Sequence, residues 1–109
     1  MASGILGNAA LQSGEYTPVY IVPEGAIATV NISLCNAGNT PAIVRLALCE
    51  GLAPEAGEFI EYGMSLYPGD SFERTGIALQ GDRSVIAYAE KGDGVNISVY
   101  GFEEKNGEV

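Results

Sequence analysis

Fourteen carboxylates, two thiols and no imidazole set the chemistry open to this 109-residue chain. Without His, the commonest general base, the commonest metal ligand and every Ser-His or Cys-His dyad are excluded. Paired carboxylates are the remaining route to hydrolysis. Glu58 and Glu61 stand three apart in a segment that reads as a strand, so they point to opposite faces and cannot act together. Glu61 and Glu73 would meet only across a hairpin, where Arg74 and solvent are the more ordinary neighbours. Asp70, Asp82 and Asp93 sit singly in separate turns, without the spacing of a calcium loop. Zinc would need Cys35, Cys49 and carboxylates, and the close paired spacings that mark such sites are missing. No Gly-rich phosphate loop or dinucleotide fingerprint appears in a strand–helix context. The expectation is a protein that is not an enzyme, with no catalytic residue, metal or cofactor and no small-molecule ligand.

The two cysteines end successive apolar runs. If these runs form a hairpin, Cys35 lies by the turn and Cys49 at the far end, about 25 Å away at about 3.3 Å per residue, beyond disulfide reach. Opposing sheets would still leave them at opposite ends. Alternation places both on the polar faces of their strands. They read either as ordinary half-buried thiols or as partners in intermolecular disulfides with a neighbouring subunit. Asn31-Ile32-Ser33 and Asn96-Ile97-Ser98 match the glycosylation pattern, but no secretory signal precedes them, so chance matches or polar ladders are expected.

The elements that must position these groups are strands. Ala28, Val30, Ile32 and Leu34 alternate with Thr29, Asn31, Ser33 and Cys35, the period of a strand with one buried face. Tyr16 to Val22 is rich in aromatic and β-branched residues, with Pro18 marking an edge or a break. Ala42 to Cys49 sets Val44, Leu46 and Leu48 against Ile43, Arg45, Ala47 and Cys49. Phe59–Leu66, Phe72–Leu79, Ser84–Ala89 and Val95–Phe102 follow, separated by turn signals that include Tyr67-Pro68-Gly69-Asp70 and Lys91-Gly92-Asp93-Gly94. The result is one all-β domain over residues 16–103, an antiparallel β-sandwich of about seven strands, Ig-like or jelly-roll-like. Residues 1–15 show no sustained period and read as an N-terminal arm, ordered against a neighbour through Ile5, Leu6 and Leu11. Residues 104–109 form an acidic tail.

Composition agrees with this reading. Fifteen Gly and five Pro suit many short strands joined by tight turns, and 47% hydrophobic residues without Trp give a core of Val, Ile and Leu. Five basic against fourteen acidic residues leave a net charge of −9, which repels nucleic-acid phosphates and anionic membranes. Neither is an expected partner. Apolar residues on the second faces of the strands, Ile43, Phe59 and Phe72, are candidates for burial against another subunit.

Several stretches resemble a pattern found in small virion proteins of tailed bacteriophages. Tyr20, Val22 and Pro23 enter a strand that ends in Cys35-Asn36, and Val44-Arg45-Leu46-Ala47 follows a small-residue turn. EFIEYGMSLYPGDSFERTGIAL at 58–79, VIAYAE at 85–90, VNISVYGFE at 95–103 and the MASGILGNAAL opening are similar to further parts of it. Cys49 and the acidic C-terminus fall outside the pattern. The resemblance implies a β-sandwich subunit, homotrimeric, that decorates or cements the capsid or forms part of the neck, collar or tail. Its partners would be itself and other virion proteins, and it would be assembled in the host bacterial cytoplasm. A carbohydrate-binding or adhesion sandwich is the alternative. Sugar rings stack on exposed aromatics, and Tyr16, Tyr20, Tyr67 and Tyr100 are the residues available for that.

Overall fold

The computed structural model describes residues 2–105. Eight strands cover most of them: β1 (Ala2–Ala10), β2 (Thr17–Ile21), β3 (Ala26–Asn36), β4 (Ala42–Cys49), β5 (Phe59–Leu66), β6 (Ser71–Gln80), β7 (Ser84–Lys91) and β8 (Val95–Lys105). A front sheet ordered β1-β8-β3-β6 packs on a back sheet ordered β2-β7-β4-β5. Every ladder is antiparallel.

Strands pair as nested hairpins: β4 with β5, β3 with β6, β2 with β7 and β1 with β8. A long double ribbon folded at the β4–β5 connection and then rolled up gives this order, with β3–β8 and β4–β7 as the ladders that the rolling adds. That winding is the jelly roll. It differs from the Ig order, in which the first strand pairs with the second and the third sits in the other sheet beside the sixth.

The core lies where the two inner faces meet. Val30, Ile32, Leu34, Val44, Leu46, Val85, Val95, Ile97 and Val99 are fully enclosed there; each side chain so buried contributes about 1.5–3 kcal/mol. β3 shows the cause most plainly, since buried and accessible residues alternate along its whole length. Among the described residues Asn36 is the one large polar side chain fully buried, and both amide hydrogens and the amide oxygen find partners. Its Nδ2 donates to the Thr40 and Leu66 carbonyls at 2.9 Å each, and its Oδ1 accepts from the Gly38 N–H at 2.9 Å. The β3–β4 turn is thereby tied to the end of β5. At the other end of the sandwich, the Tyr20 hydroxyl donates to Glu103 at 2.7 Å. Burial first, and then the Glu103 carboxylate, hold the Tyr20 pKa well above the ordinary phenol value.

The expected arm is instead strand β1, an edge of the front sheet, which raises the strand count from seven to eight. Its residues are small because the two sheets close on each other there: a Cβ at Gly7 would collide with the Val19 carbonyl oxygen of β2. A register shift between Ile5 and Gly7 breaks the alternation: Ile5 points out, and both Leu6 and Gly7 turn towards the opposite sheet. Beyond the strand, Leu11 is inserted in the core and 2% exposed. The C-terminal strand likewise runs past the expected boundary, taking in Glu104 and Lys105. The rest of the expected tail, 106–109, lies outside the described residues.

Candidate interaction surfaces

The carboxylates singled out in the sequence are dispersed by this topology. β5 and β6 belong to different sheets, so Glu61 and Glu73 do not face each other. Glu61 pairs with Arg74 at 2.7 Å, across the open edge of the sandwich. Glu73 accepts a hydrogen bond from the Tyr100 hydroxyl, which shifts that phenol's pKa upward. Glu58 closes the loop between β4 and β5 by accepting from the Glu55 and Glu50 amides at 2.9 and 3.0 Å, and these two bonds hold its carboxyl below its ordinary pKa. Asp70 accepts from the Tyr67 amide within its own turn. Among the described residues, no three His, Cys, Asp or Glu converge as metal ligands would.

The outer face of the back sheet is covered by its own side chains. Register sets Arg45 of β4 directly between Tyr62 of β5 and Tyr88 of β7. Its guanidinium carbon lies 4.3 Å from the Tyr62 ring centre and 4.8 Å from that of Tyr88, within cation–π range of both. One Arg45 nitrogen donates to the Tyr16 hydroxyl at 2.8 Å, and another stands 3.3 Å from Glu90. Tyr16 stacks on Tyr88 with ring centres 4.2 Å apart, and Phe59 meets Tyr62 edge-on at 4.9 Å. Farther along this face Ala47, Cys49 and Ile86 form a second small core against which Phe59 packs.

Cys49 corrects the sequence reading. It faces away from the sandwich interior as alternation requires, yet it is fully buried, because this outer face has its own cover. Burial and the neighbouring Glu58 carboxylate push its thiol up to about 11. Cys35 is exposed, and both cysteines are free thiols. β3 and β4 lie in opposite sheets, so the two thiols are carried by different layers.

The outer face of the front sheet is built differently. Read across β1, β8, β3 and β6, its rows are Ser3–Phe102–Thr29–Ala78, Asn8–Ser98–Ser33–Glu73 and Ala10–Asn96–Cys35–Ser71. Ile5, Tyr100 and Asn31 form a further row between the first two, and Glu104, Ile27 and Gln80 a row beyond the first. Small uncharged residues dominate. From them project Ile5, Ile27 and Phe102, which are 62%, 49% and 57% exposed. Asn31 and Asn96 of the two glycosylation matches both lie on this face, and the Asn31 side chain accepts from the Gly76 amide of the β6 bulge.

The residues expected at subunit contacts divide between these surfaces and the interior. Leu6 and Leu11 serve the protein's own core, as does Phe72, which packs against it from β6. Phe59 belongs to the back-face cluster, Ile43 is half-buried, and only Ile5 stands free. Nor do the four tyrosines considered for sugar stacking form one platform. Tyr20 is internal, Tyr16 is on the back face, Tyr100 is on the front face and Tyr67 is in an end turn. Arg45, Tyr62 and Tyr88 were not legible as a group, since their meeting depends on strand order.

Fold and surfaces together define a jelly-roll β-sandwich with a closed core, an outer back face that carries an arginine–aromatic cluster and a small second core yet leaves Tyr62 and Ile21 exposed, and a nearly uncharged outer front face. No protein-family model matches the chain, and no curated protein is similar to it in sequence.

Proposed function

We propose that this protein is a non-enzymatic structural subunit of a bacteriophage virion, an accessory piece that decorates or stabilises the capsid or forms part of the neck, collar or tail. The observation that carries the reading is the front face: an exposed sheet surface with three projecting apolar side chains, in a chain whose net charge is −9. An acidic protein can keep itself apart with charge, and here charge is withheld from one broad face. Exposed apolar patches bounded by polar residues mark protein–protein contacts. The partners are further copies of the chain and other virion proteins. Jelly rolls form viral capsid domains and lectin domains alike, so the winding supports a structural role by analogy of fold only.

Quantitative mass spectrometry of purified phage particles tests this reading. The chain is expected in the particle fraction at a fixed ratio to the major capsid protein; its confinement to the soluble fraction would overturn the proposal.

Carbohydrate binding is the second reading, favoured by one observation: the Tyr62 ring on the back face is 64% exposed. Against it, Arg45 already occupies one side of that ring and Phe59 its edge. Glycan-array binding that is lost in Tyr62→Ala would place this reading first.

A further inference from the structure

We propose that the front-sheet outer face is a self-association surface, on which a second copy of this chain packs face to face about a two-fold axis. The inference rests on the reading of the protein as a self-associating structural subunit and adds where and how the copies meet.

Charge decides which face can do this. Two copies of a chain with net charge −9 repel each other wherever their acids face. The partners of all three arginines belong to the back sheet or its connections: Glu90 for Arg45, Glu61 for Arg74, Glu50 and Glu58 for Arg83. The front face carries Glu73, which is tied to Tyr100, and Glu104 at one end. It presents no basic residue to attract an acidic partner, and few acids to attract a basic one. A neutral face in an acidic protein fits another neutral face, and the same face on a second copy is neutral by construction.

Shape agrees. A two-fold interface must be self-complementary, so one face has to carry both the projections and what receives them. Ile5 and Phe102 project from the β1–β8 side, whereas the β3–β6 side has a shallow depression lined by Ala28, Thr29, Ala78, Leu79 and Gln80, with Ile27 rising beside it. A two-fold axis lying in the interface plane, parallel to the strands, sets the two faces against each other and exchanges these sides. Each copy can then lay its projections in the other's depression, as sheets do when they pack face to face.

Extent is sufficient. Four strands about 4.8 Å apart and eight residues at about 3.4 Å each, from the Ile27 row to the Cys35 row, span about 19 by 27 Å. That is about 500 Å² on each copy and about 1,000 Å² in all, at the threshold of a specific interface.

Analytical ultracentrifugation of the full chain over a concentration series tests the proposal, alongside Phe102→Glu on the face and Leu52→Glu, an exposed apolar residue of the β4–β5 loop, as control. The expected result is a two-copy species weakened roughly 10-fold or more by Phe102→Glu and unchanged by Leu52→Glu. Cys35 gives an independent readout on the unaltered protein, because it is exposed on this face whereas Cys49 is buried. Its maleimide labelling should slow as protein concentration rises. A strict monomer, or an oligomer of any size with concentration-independent Cys35 labelling, overturns the inference, whether or not Phe102→Glu folds. A chain found in virions but monomeric when released would sink this inference and leave the proposed function standing. A two-copy species absent from particles would do the reverse.

Discussion

The two sheets of this sandwich bury similar inner faces and finish their outer faces in opposite ways. On the back sheet, outward positions of β4, β5 and β7 hold Arg45, Tyr62 and Tyr88, and next to them Ala47, Cys49 and Ile86 make a core of their own. On the front sheet, the corresponding positions of β1, β8 and β3 hold Ser, Asn, Thr and Ala, with Ile5, Ile27 and Phe102 rising from them. Period-2 alternation is the same in both. A polar-out strand pattern thus says which side of a strand faces the sandwich, and it does not say whether the other side is solvent. The back sheet gathers outward residues into a second cluster within one chain, whereas the front sheet leaves Ile5, Ile27 and Phe102 standing apart.

The largest effect should come from truncating the back face. Ile86 is 1% exposed although it points outward, so Ile86→Ala should cost about 2–4 kcal/mol in urea unfolding, as for an interior site. The matching truncation on the front, Phe102→Ala, should change monomer stability by no more than about 0.5 kcal/mol. Equal costs for the two would erase the distinction between a second core and a bare face. Next in size is Arg45, whose plane serves two rings, one hydroxyl and one carboxylate together. Arg45→Ala should lower Tm by about 5 °C. Arg45→Lys should recover only part of that, because an ammonium keeps the charge but not the flat surface that lies against both tyrosines. A complete rescue by Lys would show that charge alone holds the cluster.

Much of this architecture was legible beforehand. β4 and β5 have the boundaries that alternation and turn residues mark out, and the β3 residues expected inside are inside. β1 was hidden because its signal is steric. Small residues let its backbone approach β2, and the bulge after Ile5 erases the alternation that would have revealed it. Neither surface could be assembled from the sequence, for a different reason. Arg45 meets Tyr62 and Tyr88 only once β4 is known to lie between β5 and β7, and that order depends on the long-range rolling of the ribbon. The full burial of Cys49, expected only as a half-buried thiol or an intermolecular disulfide partner on the polar face of its strand, was hidden on the same ground, because the cover over that face comes from Phe59 and Ile86. The absence of His, by contrast, needed no structure to be seen.

The smallest expected effect separates the faces by their thiols. Burial and Glu58 raise the Cys49 pKa from 9.0 in the unfolded chain to about 11. Between those two values the unfolded state has already lost the proton that the folded state keeps, so folding stability falls as pH rises. This stabilisation is complete below about pH 9 and gone above about pH 11. Cys49→Ala should flatten the decline over that window in urea midpoints measured at successive pH values. The same contrast can be read kinetically near pH 8, where maleimide should label Cys35 quickly and Cys49 only through local opening. Glu58 holds the β4–β5 loop through the amides of Glu50 and Glu55, and its carboxylate neighbours the Cys49 thiol. Glu58→Ala should therefore speed Cys49 labelling roughly 10-fold, an opening cost lowered by about 1.4 kcal/mol, without altering the rate at Cys35. If Cys49 reacts as fast as Cys35 in the unaltered protein, the back face has no closed cover, and the difference between the two faces reduces to one of charge.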